Sequence, residues 1–498
     1  MTDNNSNNQP IPDSGFFGQP RGLSTLFFTE FWERFSYYGM RAILAYYLYY
    51  SVTKGGFGLD QSTALQIVSI YGALIYMSGI IGGWLADRVF GIRHSIFYGG
   101  ILIMFGHILL SLPNNFTILM IALLLLIIGT GLLKPNISTN VGMLYKKDDP
   151  RIDSGFTLFY MSINLGSLIS PLLVGTLQVN YGFHAGFALA AIGMFFGLLT
   201  YVLTNKKNLG DLGLKPSDPL KDEEKKKFSI IAIIVVLAIA LFITLTLMTN
   251  TLTIGAFANF ITFLGVILPT VLITKMIMSK KVSKKERSHL FAYIPLFLAS
   301  VVFWMIQEQG ATVLAAFADT KTELSVSNIT NGLIDFHIPA AWFQSLNPLF
   351  IVFFAPIISR LWVKLGDRNP STVTKFTIGV LLAGAAYLVM IIPLSTEGLI
   401  HPLWLVLSFF LVTIGELFVS PIGLSTTTRL APVAFQSQMM SVWFLSNAMA
   451  QGLNAQMVKL YDLIDTKEYF MYLGSIAIIV AIILIILGSR IRKVMGDL

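Results

Sequence analysis

Long apolar runs separated by short polar loops dominate the chain. Runs of roughly 20 residues, the length of a helix that crosses a bilayer, recur near 24–53, 63–86, 92–112, 116–141, 154–179, 184–204, 229–248, 253–279, 289–315, 341–364, 372–393, 402–427, 436–460 and 467–489. The pattern predicts fourteen transmembrane helices, an even number that leaves both termini on one side. With the N terminus inside, the cations alternate between loops as the positive-inside rule requires. Arg88 and Arg93; Lys146, Lys147 and Arg151; Lys280, Lys281, Lys284, Lys285 and Arg287; and Arg490, Arg492 and Lys493 fall inside. The outer loops hold only Lys54, Lys321, Lys459 and Lys467. Both termini are therefore expected to be cytoplasmic, in a multi-pass protein of the cell membrane.

Composition agrees with the pattern: 55% of the 498 residues are hydrophobic and 12% are charged, with a mean hydropathy of +0.72. Such values exclude an ordinary soluble domain. A net charge of +8 does not point to nucleic acid, because the Lys and Arg sit in short loops and report orientation. The first twenty residues are polar and lack the apolar core of a signal peptide, so they read as a disordered tail. The absence of cysteine rules out disulfides, thiol catalysis and thiolate metal sites. The six histidines, His94, His107, His184, His289, His337 and His401, are scattered, and no His-Glu-x-x-His occurs. The pattern thus calls for no enzyme chemistry, no metal and no cofactor; no obligate protein partner is indicated either.

The longest inner connection, 205–228, is rich in Lys, Asp and Glu and marks a boundary. The two runs after it, 229–248 and 253–279, carry few polar side chains beyond Ser, Thr and Asn and look like an inserted lipid-facing hairpin. The predicted division is a tail over 1–23, a six-helix bundle over 24–204, the linker and hairpin over 205–288, a second six-helix bundle over 289–489 and a tail over 490–498. This all-α, 6+6 plan resembles the major facilitator superfamily, in which substrate binds near mid-membrane between two halves. The loop Gly83-Trp84-Leu85-Ala86-Asp87-Arg88-Val89-Phe90-Gly91-Ile92-Arg93 resembles that superfamily's loop after the second span, which makes Asp87 and Arg88 gating candidates.

Charges at membrane depth are costly and mark function or tight pairing. Seven are predicted inside spans: Glu30, Glu33, Arg34, Arg41, Lys134, Glu308 and Glu416. On the first helix, Glu30, Glu33, Arg34, Tyr37 and Arg41 share one face at 100° per residue. All three cations precede the linker, whereas the later half contributes only carboxylates. Opposed walls of that kind suit a zwitterion, with Arg41 and Lys134 near its carboxylate and Glu416 or Glu308 near its ammonium. The bland alternative is structural pairing of Arg41 with Glu308 and of Lys134 with Glu30 or Glu33. Four acids against three cations leave one carboxylate in surplus. That surplus makes a proton the coupling ion, with Glu33 or Glu30 as carrier. Tyr37, Tyr38, Tyr76 and Trp443 supply apolar walls and donors, and Asn164 and Asn347 are amides at depth, each equally suited to joining helices. His107 is expected to serve as a structural hydrogen-bonding residue.

Three signatures carry a closer resemblance: Glu30-x-x-Glu33-Arg34-Phe35-x-Tyr37-Tyr38-Gly39, Phe159-Tyr160-x-x-Ile163-Asn164-x-Gly166 and Gly415-Glu416-Leu417-Phe418-x-Ser420-Pro421. On these the chain resembles the proton-dependent oligopeptide transporter family, over nearly its whole length and including the hairpin typical of bacterial members. The resemblance implies a proton-coupled symporter of di- and tripeptides, with peptide-like drugs as further substrates. It implies proton coupling through Glu30, Glu33 and Arg34, with Glu308 grouped among them, and contact of Arg41 and Lys134 with the peptide carboxylate. It also implies Glu416, with Asn347, at the amine and an Arg41–Glu308 bridge that closes one gate, with Tyr37, Tyr38, Tyr76 and Trp443 lining side-chain pockets. The second-span histidine of animal members has no counterpart here. A nitrate or other small-anion carrier fits less well, because the double-Glu motif is intact. A proton/drug antiporter needs an acidic aromatic cavity, which Arg34, Arg41 and Lys134 oppose.

Overall fold

The computed structural model describes residues 13–146, 149–230 and 253–495. Among them the secondary structure is helical, with only isolated bridges besides. The long helices are α1 (Arg21–Tyr49), α2 (Gln61–Leu85), α3 (Ile92–Leu110), α4 (Phe116–Met143), α5 (Ile152–Tyr181) and α6 (Phe183–Leu209), followed by α7 (Ile254–Met278) and α8 (Lys284–Glu308). After a short α9 (Val313–Lys321) come α10 (Leu346–Leu365), α11 (Thr372–Leu388), α12 (Pro402–Leu430), α13 (Gln436–Leu463) and α14 (Thr466–Met495). Eleven of the described helices are long and apolar enough to cross a membrane. Helices α1 and α13 are not among those eleven. Helix α1 carries Glu30, Glu33, Arg34 and Arg41, and α13 carries a stripe of amides. Most of the predicted run 229–248 lies outside the described residues.

Local sequence sets the helix ends. Asn115 caps α4 by accepting from Ile118 N at 3.1 Å. Ser283 and Glu286 form a reciprocal capping box at the start of α8, satisfying two backbone donors that the helix leaves open. Ser371 caps α11, and Pro402 opens α12 where its missing N–H costs nothing.

The chain packs as two compact units. Unit 1 comprises residues up to Met40 with 77–170 and 181–257; unit 2 comprises 41–76, 171–180 and 258 onward. Helices α1, α2, α5 and α7 each contribute to both. In unit 1, α3 packs along α4 and α6, and glycines let the backbones close. A Cβ at Gly99 would lie 2.6 Å from Gly129 O, and one at Gly129 2.7 Å from Gly99 O. In unit 2, α8 packs against α11, α12, α13 and α14, and the same device recurs between α11 and α12. There a Cβ at Gly379 would lie 2.8 Å from Gly415 O, and one at Gly415 2.7 Å from Gly379 O. With lipid outside, such close packing supplies the attraction that the hydrophobic effect supplies in water.

Candidate functional site

In unit 1, α1 turns its acidic face inward. Glu33 is fully buried, with Glu30 and Arg34 each 2% exposed. The Arg34 Nε lies 2.9 Å from Glu30 Oε1 and 2.5 Å from Glu33 Oε2. Both are ion contacts within one buried cluster. The guanidinium also stands over Tyr37, 5.3 Å from its ring centre, and Tyr37 meets Tyr38 edge to face. Lys134, on α4, acts electrostatically on both carboxylates. Gly166 explains how α5 fits against this cluster: a Cβ there would come within 2.6 Å of Phe31 O and 3.1 Å of Arg34 Cβ. Nearby Asn164 donates Nδ2 to Tyr160 O of its own helix at 2.9 Å.

In unit 2, Arg41 pairs with Glu308, as the sequence led one to expect. Glu308 also accepts from Tyr76 at 3.0 Å and from Gln451 at 2.8 Å. Glu416 accepts from Asn347 Nδ2 at 2.7 Å and from Gln307 at 3.3 Å, and Asn347 also donates to Thr413 at 3.1 Å. Among the described residues Glu416 forms no ion pair. Unit 1 balances Glu30 and Glu33 with Arg34 and Lys134, whereas unit 2 sets Glu308 and Glu416 against Arg41. Trp443 is buried against Gly423 and Phe376.

The loop after α2 is engaged by the linker, all within unit 1. Arg88 pairs with Asp218 and, at 2.9 Å, with Glu224. Ser217 Oγ donates to Asp87 at 3.1 Å, and the backbone N–H groups of Asp218 and Leu220 reach the carbonyls of Asp87 and Arg88 at 3.0 and 3.2 Å. Arg93 holds Gly210 and Asn205. Gly91, at φ +80°, admits the linker backbone at Leu214, where any side chain would collide. The acid and base of this loop are held by a strap, a partner that a motif alone does not reveal.

One expectation is corrected. His107 is fully buried, and neither ring nitrogen makes a hydrogen bond among the described residues, so it packs as an aromatic body rather than as a hydrogen-bonding residue. Two residues escaped sequence reasoning: Gln307 and Gln451. A signal existed for the second, because Trp443, Asn447, Gln451 and Asn454 recur at helical spacing and amides are uncommon in an apolar span. For Gln307 the signal was only its place beside Glu308.

Comparison with known proteins now bears on this geometry. Residues 93–490 match the family model described as "PTR2: POT family". The chain is 53% identical over 495 residues to the uncharacterized transporter YclF of Bacillus subtilis (strain 168), covering 99% of this chain and 98% of that protein. It is 50% identical over 489 residues to a di-/tripeptide transporter of Lactococcus lactis subsp. cremoris, covering 97% and 98%. A variant of a peptide transporter POT, solved in complex with alafosfalin, superimposes with a TM-score of 0.92 at 52% identity, covering 98% of each chain. The all-helical architecture, the apolar spans and these matches agree, and the chain belongs to the POT family of multi-pass membrane secondary transporters.

Proposed function

We propose that this protein imports di- and tripeptides across the cell membrane together with protons. The observation that carries the reading is Glu416, a half-buried carboxylate that two amides orient and that makes no ion pair among the described residues. A peptide ammonium is the cation that would complete it, with Asn347 fixing the carboxylate in place. Arg41 and Lys134 are the cations for the peptide carboxylate; Tyr37, Tyr38, Tyr76, Asn164 and Trp443 shape the site for varied side chains. The name of the Lactococcus relative supports peptides, and the alafosfalin complex supports peptide-like drugs as further substrates. We place the boundary between two six-helix bundles in the linker over 205–228, with the hairpin after it and both termini cytoplasmic.

Coupling is proposed to rest on Glu30, Glu33 and Arg34. Glu33 is the fully buried member and meets Arg34 at 2.5 Å, so a proton arriving there acts directly on that cation's hold. Protonation would weaken the hold on Arg34 and Lys134 and leave Lys134 freer to meet substrate. Arg41 would then exchange Glu308 for the peptide carboxylate, a shift that works only if ligand contacts differ between states. Asp87 and Arg88 would act at the inner gate, with the strap over 211–220 setting their partners.

The test is uptake of labelled dialanine into proteoliposomes under an inward proton gradient, with a protonophore and with unlabelled dipeptide, alanine or nitrate as competitors. Protonophore-sensitive accumulation blocked by dipeptide alone supports the proposal. Competition by nitrate alone would mean that the fold serves an anion instead. Glu33→Gln should abolish accumulation at least tenfold below wild type while peptide exchange continues; accumulation that persists would remove Glu33 as an obligatory carrier.

A further inference from the structure

Three side chains converge on the Glu308 carboxylate, which is 3% exposed. Arg41 engages Oε2, Tyr76 donates to Oε1, and Gln451, from α13, donates Nε2 to Oε2. Gln451 is itself 3% exposed, and its own Oε1 accepts no hydrogen bond among the described residues. Room for the amide is made by Gly72, one turn before Tyr76 on the same face of α2. A Cβ at Gly72 would lie 2.6 Å from Gln451 Nε2 and 2.8 Å from its Cδ. Tying α2 to α13 does not require this arrangement, since Gln66 already does so by donating to Ala455 O at 2.7 Å. An amide buried with half its capacity unused, and seated against a glycine, is aimed at one atom.

We propose that Gln451 is a positioning residue that keeps the Glu308 carboxylate hydrogen-bonded when Arg41 leaves it for a peptide carboxylate. This rests on the reading above that Arg41 exchanges partners. With Arg41 withdrawn, Oε1 keeps Tyr76 and Oε2 keeps Gln451, so neither buried oxygen is stripped bare. Without Gln451, Oε2 depends on Arg41 alone, and lending Arg41 to the substrate carries the full penalty of an unsatisfied charged acceptor. That penalty falls on the peptide-bound state and is read as a higher apparent KM.

The experiment is dialanine exchange in proteoliposomes for wild type, Gln451→Leu, Gly72→Ala, the double variant Gly72→Ala/Gln451→Ala, and Gln66→Leu as the helix-tie control. Gln451→Leu and Gly72→Ala should each raise the KM about tenfold, the size expected for one hydrogen bond to a charged group, with a much smaller change in kcat. The double variant should be no worse than either single change, because both remove the same contact. Gln66→Leu should lower the melting temperature without raising the KM. An unchanged KM in Gln451→Leu, or a rise equal to that in Gln66→Leu, overturns the proposal. Absence of exchange in wild type would instead overturn the transport reading, and this proposal with it.

Discussion

Three kinds of partner answer the carboxylates at membrane depth. Glu30 and Glu33 meet cations, Glu308 meets one cation and two neutral donors, and Glu416 meets amides. The charged half of that scheme was legible in the sequence. Ionisable residues are so costly in a span that their signs and positions limit which can pair, and Arg41 with Glu308 was one of the pairings they left open. The amide half was not legible, because Gln and Asn carry no charge imbalance and occur as often in helix packing as in sites. His107 shows the reverse error, since a polar residue type need not use its polarity once it is packed on every side. At the surface, Asp149 is held below the usual carboxylate range, chiefly by hydrogen bonds from the Arg151 side chain. The same guanidinium reaches Asp13 at 2.7 Å, clasping the start of the chain to this loop. Because the folded value is the lowered one, the clasp contributes above the ordinary carboxylate range and is lost as pH falls through the lowered value. Asp149→Asn should therefore speed hydrogen exchange in residues 13–20 at neutral pH, a loosening that wild type should show only in acid.

For single helices, the period of the apolar runs was enough to place most of them within a few residues. What it could not show is how near two helices come, since that depends on where a glycine on one faces a carbonyl on the other. Gly99 with Gly129 and Gly379 with Gly415 are such pairs, and they lie in corresponding helices of the two predicted six-helix halves. Adding a methyl at Gly129 forces backbone against backbone and should cost roughly 1–3 kcal/mol. Gly79, with nothing within 4 Å of its would-be Cβ, should accept alanine at no cost and with a small gain in helix propensity. Thermal unfolding in detergent should separate the two, with Gly129→Ala melting well below wild type and Gly79→Ala at or above it.

In the molecule as a whole, the alternation of loop charge carries the topology, and the absence of cysteine makes it simple to check. In intact cells a membrane-impermeant maleimide should label Lys54→Cys and leave Ser217→Cys unlabelled until the membrane is permeabilised; labelling of both from outside would overturn the orientation. The polar linker over 205–228 was visible as a change of composition. Its docking was not, because Asp218 and Glu224 read as solvated charges until the fold sets Arg88 beside them.

That docking has a practical consequence for anyone building a sensor from this protein. A connection of two dozen residues suggests ample slack for a fluorescent insert, but 205–209 complete α6 and 210–220 are already bound against Arg93 and the loop after α2 by backbone bonds and ion pairs. The exposed segment 221–227 is where a guest domain would find room; Glu224 is best duplicated on the upstream side of such a graft, so that Arg88 keeps both of its anchors.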